Sequence, residues 1–163
     1  MSKRKAYRPK PITMDPFRKA LAQKAVLTAG EKGVVMREAR PAFERLRQGR
    51  ADKQDWAYLA DAANVGEALA NLGICSDPES KALLSAMQLA LADIAHRVNA
   101  RGIWTAKGAE ITAIEAGLDR HAIQLDFCSL QELRAAVSAV EKNVRAARAG
   151  RMTSVTIIEG VPA

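Results

Sequence analysis

Six side chains near the start of the chain are of types that handle phosphate: Lys3, Arg4, Lys5, Arg8 and Lys10, with Tyr7 among them. Cations that can approach phosphate oxygens closely supply affinity without reading sequence, and a tyrosine ring offers a surface on which a base can stack. Pro9 and Pro11 fix their own φ angles and bias Arg8 and Lys10 towards extended backbone. The string YRPKP therefore reads as a short polyproline-type segment that keeps its charges on display. With the five cations on phosphate, affinity would fall with salt at a log–log slope of about −4 to −5. The other readings of such a run are a solvated tail and a peptide that docks on an acidic protein surface.

The remaining reactive side chains do not assemble into a site on paper. Cys75, Cys128, His96 and His121 are the right number for zinc, but no CxxC or HxxxH spacing is present. A hairpin folded around Gly102 puts the two cysteines at one end, His96 near the turn and His121 well down the opposite helix. Asp93 and His96 make half of a di-iron carboxylate pattern with no second half. Glu115 and Asp119 share a helix face without metal ligands beside them. Asp119, Arg120 and His121 are consecutive, so on a helix they point in different directions. No GxSxG, Gly-rich phosphate loop or Walker sequence occurs. The expectation is a chain with no catalytic residues, no metal and no cofactor, hence not an enzyme. The stretch DWAYLADAANVGEALANLG has small and apolar residues near helix-turn-helix positions. Its would-be recognition helix, GEALANLG, carries Glu67 and no cation, so a core helix explains it better.

Charge is segregated. The first 24 residues hold eight Lys/Arg against Asp15, while the remaining 139 hold 17 basic and 17 acidic residues. The net charge of +7 therefore belongs to a basic arm on an electrically balanced body. The most apolar stretch, Ala82 to Ala95, is interrupted by Ser85, Gln88 and Asp93 and is too short to span a bilayer. No apolar region follows the N-terminal charges as in a secretory signal, and two cysteines make no disulfide framework. A cytoplasmic setting without membrane contact is expected.

The body that must carry the arm reads as helical. It is 48% apolar, 4% aromatic and rich in Ala, a composition that loses little entropy in helices. The expected architecture is all-α: a basic extended arm over 1–13, N-terminal helices over 14–50, an antiparallel helical bundle over 51–149 and a short tail over 150–163. Asp15-Pro16 is expected to start a helix that Gly30 and Gly33 end. A second stretch is expected over Val34 to Gln48, with Pro41 kinking it or starting its second part. Asp52 is the N-cap of a third, weakened in its middle by Gly66 and stopped near Gly73. Asp77-Pro78 opens a helix whose Leu84, Met87, Leu91, Ile94 and Val98 step by 3 and 4. The next is expected from Thr105 to Asp126, with Ile111, Ile114, Leu118, His121 or Ala122, and Leu125 inward. Ser129 and Glu132 make a capping box before the stripe Leu130, Leu133, Val137, Val140, Val144. Trp56 and Trp104 fit caps on the end of a core. The tail carries a strand-like VTII run. The Ala- and Leu-rich faces are compatible with a homodimer.

The opening KAYRPKP, the DW at the third helix, NVGEALA and GAEI…LDRHAIQLD together resemble small uncharacterised helical proteins encoded by proteobacterial phages and prophages. The resemblance spans most of residues 3–149. It implies a bacterial host cell and brings no activity and no site residues. The expected function is a non-enzymatic accessory protein whose arm binds nucleic acid with little sequence specificity. The alternative is a module that docks on a host or phage protein as inhibitor or adaptor.

Overall fold

The structure is a computed structural model that describes residues 24–149. The arm, the Asp15-Pro16 helix start and the VTII tail lie outside the described residues. Within them the chain is all-α: α1 Ala29–Met36, α2 Ala39–Arg47, α3 Lys53–Asn71, α4 Pro78–Arg101, α5 Gly108–Phe127 and α6 Leu130–Arg148. None of these helices is long and apolar enough to cross a membrane.

Local chemistry sets most boundaries. Asp52 and Asp55 cap α3 reciprocally: the Asp55 N–H donates to Asp52 at 2.9 Å and the Asp52 N–H to Asp55 at 3.2 Å. Asp77 accepts from the Ser80 N–H at 2.9 Å with Pro78 opening α4, and Ser129 and Glu132 close the expected box at α6. Each such cap satisfies backbone donors that the first helical turn leaves without partners. Gly102, at φ 71°, ends α4 in the left-handed region.

Three expectations are corrected. Gly30 and Gly33 do not end a helix; they lie inside α1, which Thr28 and Glu31 start with a capping box. The Val34–Gln48 stretch divides at Arg37-Glu38 into α1 and α2. Of the two roles expected for Pro41, it does not kink a helix but stands at the start of the second part, in the first turn of α2, where its missing N–H would have had no intrahelical acceptor. Finally α5 begins at Gly108 and not at Thr105, because Glu110 reaches back to the Lys107 N–H at 2.7 Å.

The main core joins α2, α3, α4 and α5 through Phe43, Leu46, Trp56, Leu59, Met87, Leu91, Ile94, Ile114 and Leu118. The expected α4 stripe is buried throughout. Trp56 donates its indole N–H to the Leu91 carbonyl at 2.9 Å, and Trp104 lies against it at 6.3 Å between ring centroids. Both rings therefore close the core, Trp56 from the start of α3 and Trp104 from the connection between α4 and α5. A second cluster, Leu27, Leu69, Leu125, Cys128 and Ala136, joins the end of α3 to α5 and α6. The chain enters there: Val26 forms an antiparallel bridge with Ser129, and the Leu27 N–H donates to the Cys128 carbonyl at 3.2 Å.

The α6 stripe behaves differently from that of α4. Only Ala136 of α6 is buried, and Val137 remains 38% exposed. The helix packs on α3 alone among its major contacts, so its apolar side is half used.

Candidate functional site

Lys3, Arg4, Lys5, Tyr7, Arg8 and Lys10 lie outside the described residues, and the candidate site among the described ones is on the body. It is an open groove of about 250 Å³ over one face of α3. Tyr58, Asp61, Ala62 and Val65 fall on that face because they are spaced by a helical turn, and α2 packs on α3 from one side and α6 from the other. Leu133 and Val137, one turn apart on α6, form one wall; Val35, Glu38 and Ala39, at the α1–α2 junction, form the other. The His121 ring of α5 lines it from below.

The groove is apolar with an acidic rim. Asp61 and Glu38 are exposed on it. The apolar walls partly desolvate Asp61 and hold its carboxyl above the usual carboxylate range. Tyr58, half-buried, adds an aromatic face. Such a surface suits an extended or helical segment that brings an apolar or aromatic anchor and a cation.

His121 belongs to a set of polar side chains that bridge the helices. Gln124 donates through Nε2 to the Gly66 carbonyl at 2.9 Å and the Ile74 carbonyl at 3.1 Å. Its Oε1 therefore faces His121 Nδ1 at 3.3 Å as an acceptor, which assigns the ring proton to Nδ1. Burial pushes the His121 pKa down to about 4, so the ring is neutral at pH 7 and a weak base. Gln88 donates to Glu67 at 2.9 Å and to Asn64 at 3.3 Å. These groups satisfy one another, and their chemistry is structural.

The residues considered for a zinc site are apart in kind and place. Cys128 is buried between Leu69 and Leu125 with its thiol pushed up by burial. Cys75 is half-buried in the turn before α4, His121 is committed to Gln124, and His96 is exposed. Among the described residues no group of three or more His, Cys, Asp or Glu could hold a metal ion. Asp119 turns outward to Arg40 at 2.6 Å while His121 turns inward, so the three consecutive polar residues do not meet. The helix-turn-helix alternative also ends here, since α3 runs unbroken through Asn64-Val65.

Many cations of the body are held by carboxylates. Arg45 is bound to Asp55 at 2.5 and 2.8 Å, and Arg97 to Glu110 at 2.5 and 2.6 Å. Arg40 pairs with Asp119 and Lys32 with Asp126. Burial alone would raise Glu110; the Arg97 and Lys107 bonds outweigh it and hold the carboxyl below its ordinary range.

Sequence reasoning missed the groove. Its signal was available in the turn-spaced Tyr58, Asp61, Ala62 and Val65, but which helices would flank that face is a tertiary fact. Comparison with protein-family models, with curated proteins and with solved structures gives no significant match for the chain.

Proposed function

We propose that the chain is a non-enzymatic accessory protein that binds nucleic acid through its basic arm, Lys3, Arg4, Lys5, Arg8 and Lys10 with Tyr7, and with little sequence specificity. The observation that carries this reading is the segregation of charge: eight of the 25 cations precede residue 25 with one acid among them, and the rest of the chain is balanced. The ion pairs of Arg40, Arg45 and Arg97 support the division of labour, because a guanidinium already shared with a carboxylate is a poorer phosphate ligand. The resemblance to phage and prophage proteins gives it a setting in the bacterial cytoplasm. The test is binding of the full chain to a random duplex across a salt series. A slope of about −4 to −5 is expected, falling towards zero when the five arm cations are replaced by alanine. Equal binding by both forms overturns the reading.

A second reading, docking on another protein, is favoured by exposed apolar side chains at the end of the bundle where the chain enters. Val26, Leu72 and Phe127 are each at least half exposed; Val26 is bridged to Ser129, and Leu72 lines an open hollow together with Ser129. Recovery of one stoichiometric protein in the presence of nuclease, lost in a Leu72→Ser, Phe127→Ser variant, would support it.

A further inference from the structure

We infer that the acid-rimmed groove is the seat of the chain's own basic arm, with Tyr7 on the apolar floor and the neighbouring cations against Asp61 and Glu38. The inference rests on the arm being the contact element proposed above, and it adds a competition: a seated arm is withheld from phosphate.

Charge complementarity is the first argument. The groove's exposed ionisable groups are two carboxylates, while the arm joins five cations to one aromatic ring. An incoming cation also compensates the desolvation that Asp61 suffers beside its apolar walls. Tyr7 matches the floor in kind, offering a rigid apolar ring with a polar tip beside Tyr58. Pro9 and Pro11 limit the conformations the segment gives up on seating, which lowers the entropic cost.

Reach is the second. The described chain begins beside the N-terminus of α6, where Val26 is bridged to Ser129. The far wall residue Val137 lies eight residues further along α6, about 12 Å. Thirteen residues separate Lys10 from Lys24, enough for about 20 Å as helix and about 40 Å extended. A tethered segment that spans its site in this way acts at an effective concentration on the order of millimolar. A weak intrinsic affinity is then enough to fill the groove, and one ligand that prefers the released arm can empty it.

The experiment uses the full chain with p-benzoylphenylalanine in place of Tyr7, irradiated without nucleic acid, with cross-links mapped by mass spectrometry. Cross-links within one chain to the segments around Tyr58, Val65 and Val137 are expected. They should be lost in an Asp61→Lys, Glu38→Lys variant that keeps its helical circular dichroism. Cross-links that fall elsewhere on the body, or that survive the charge reversal, overturn the inference. Cross-links between chains that grow with concentration overturn it in favour of a second copy. Transfer of the label to an added protein overturns it in favour of a partner. A separate arm measures duplex binding at low salt: the charge-reversed variant should bind at least threefold tighter, beyond any gain the same reversal gives in a chain whose five arm cations are alanine, because its arm is released. Groove cross-links with no duplex binding by either form would leave the seat standing and remove the nucleic-acid reading. Tight duplex binding unaffected by the reversal, with no groove cross-links, would do the opposite.

Discussion

Gly117 of α5 and Met87 of α4 share a space with no room for another atom. A Cβ on Gly117 would lie 2.5 Å from Met87 Cβ and 2.7 Å from its Sδ. The backbones of α4 and α5 approach closely at this point because one of them carries no side chain. Gly66 does the same for α3 less strictly, since its Cβ would meet the tip of Leu84 at 2.7 Å.

This relationship reverses the usual sign of a Gly-to-Ala change. In an exposed helix alanine stabilises by up to about 1 kcal/mol. Gly33→Ala, with nothing within 4 Å, should show that gain. Gly117→Ala should instead cost about 1–3 kcal/mol, because Met87 Cβ is fixed to the α4 backbone and cannot swing away. Gly66→Ala should fall between them, as a Leu tip yields more readily. Urea unfolding of the three variants checks the order; a stabilised Gly117→Ala would show that the two helices are further apart than described.

Gln124 ties three elements through one amide, since it reaches α3 at Gly66, the following turn at Ile74 and His121 on its own helix. Gln124→Met keeps the volume and removes every one of these bonds, leaving His121 Nδ1 and the Ile74 carbonyl without that partner. The expected loss is about 2 kcal/mol, with an unchanged denaturant slope. Nitrogen chemical shifts of the His121 ring should show that the Nδ1–H tautomer is no longer fixed.

Asp55 serves two structures with one carboxylate. It completes the cap of α3 and binds Arg45 of α2, and the Arg45 bond holds it below the ordinary carboxylate range. Asp55→Ala should cost about 1–2 kcal/mol, combining the lost cap with a charged bond weakened by water around the half-open Arg45. Arg45→Ala should cost less, since the cap remains. Equal losses would mean that the ion pair, and not the cap, is what α3 needs from Asp55.

The parts of this fold that are local chemistry were legible. Asp52, Asp77-Pro78 and the Ser129–Glu132 box name their own helix starts, and the α4 stripe from Leu84 to Val98 is buried as its spacing says. Where two local signals compete, the reading failed. Gly30 and Gly33 look like stops, yet the Thr28–Glu31 cap outweighs the modest cost of two exposed glycines. Gly66 looks like a weak point in α3, but its meaning is the approach of Leu84, His121 and Gln124, all distant in sequence. The α6 stripe has the same 3–4 spacing as that of α4 and is only half covered. Periodicity gives the direction of an apolar face and not what lies opposite it. The groove follows from this: the spacing of Tyr58, Asp61, Ala62 and Val65 names its floor, and the walls that α1, α2 and α6 supply are set by packing between residues distant in sequence.

His121 makes the pH dependence of stability specific. Its folded pKa, about 4, lies below the ordinary histidine value of 6.5 because burial disfavours the cation. The unfolded chain therefore binds a proton first as pH falls. Stability contributed by the neutral ring is complete above about pH 6.5, declines as pH drops towards 4 and is fully lost below that, a change of about 3 kcal/mol at most. Asp55 and Glu132, held low by their bonds, lose their contributions in the same direction at the more acid end. Asp61, held high by its apolar walls, opposes them over the carboxylate range. The window between pH 4 and 6.5 thus belongs mainly to His121, and a His121→Met variant should flatten it while leaving the more acid limb in place. Chemical unfolding at pH 7.5, 6, 5 and 4 measures this. An unchanged slope in the variant would mean that the ring is hydrated and that the groove above it admits water to α5.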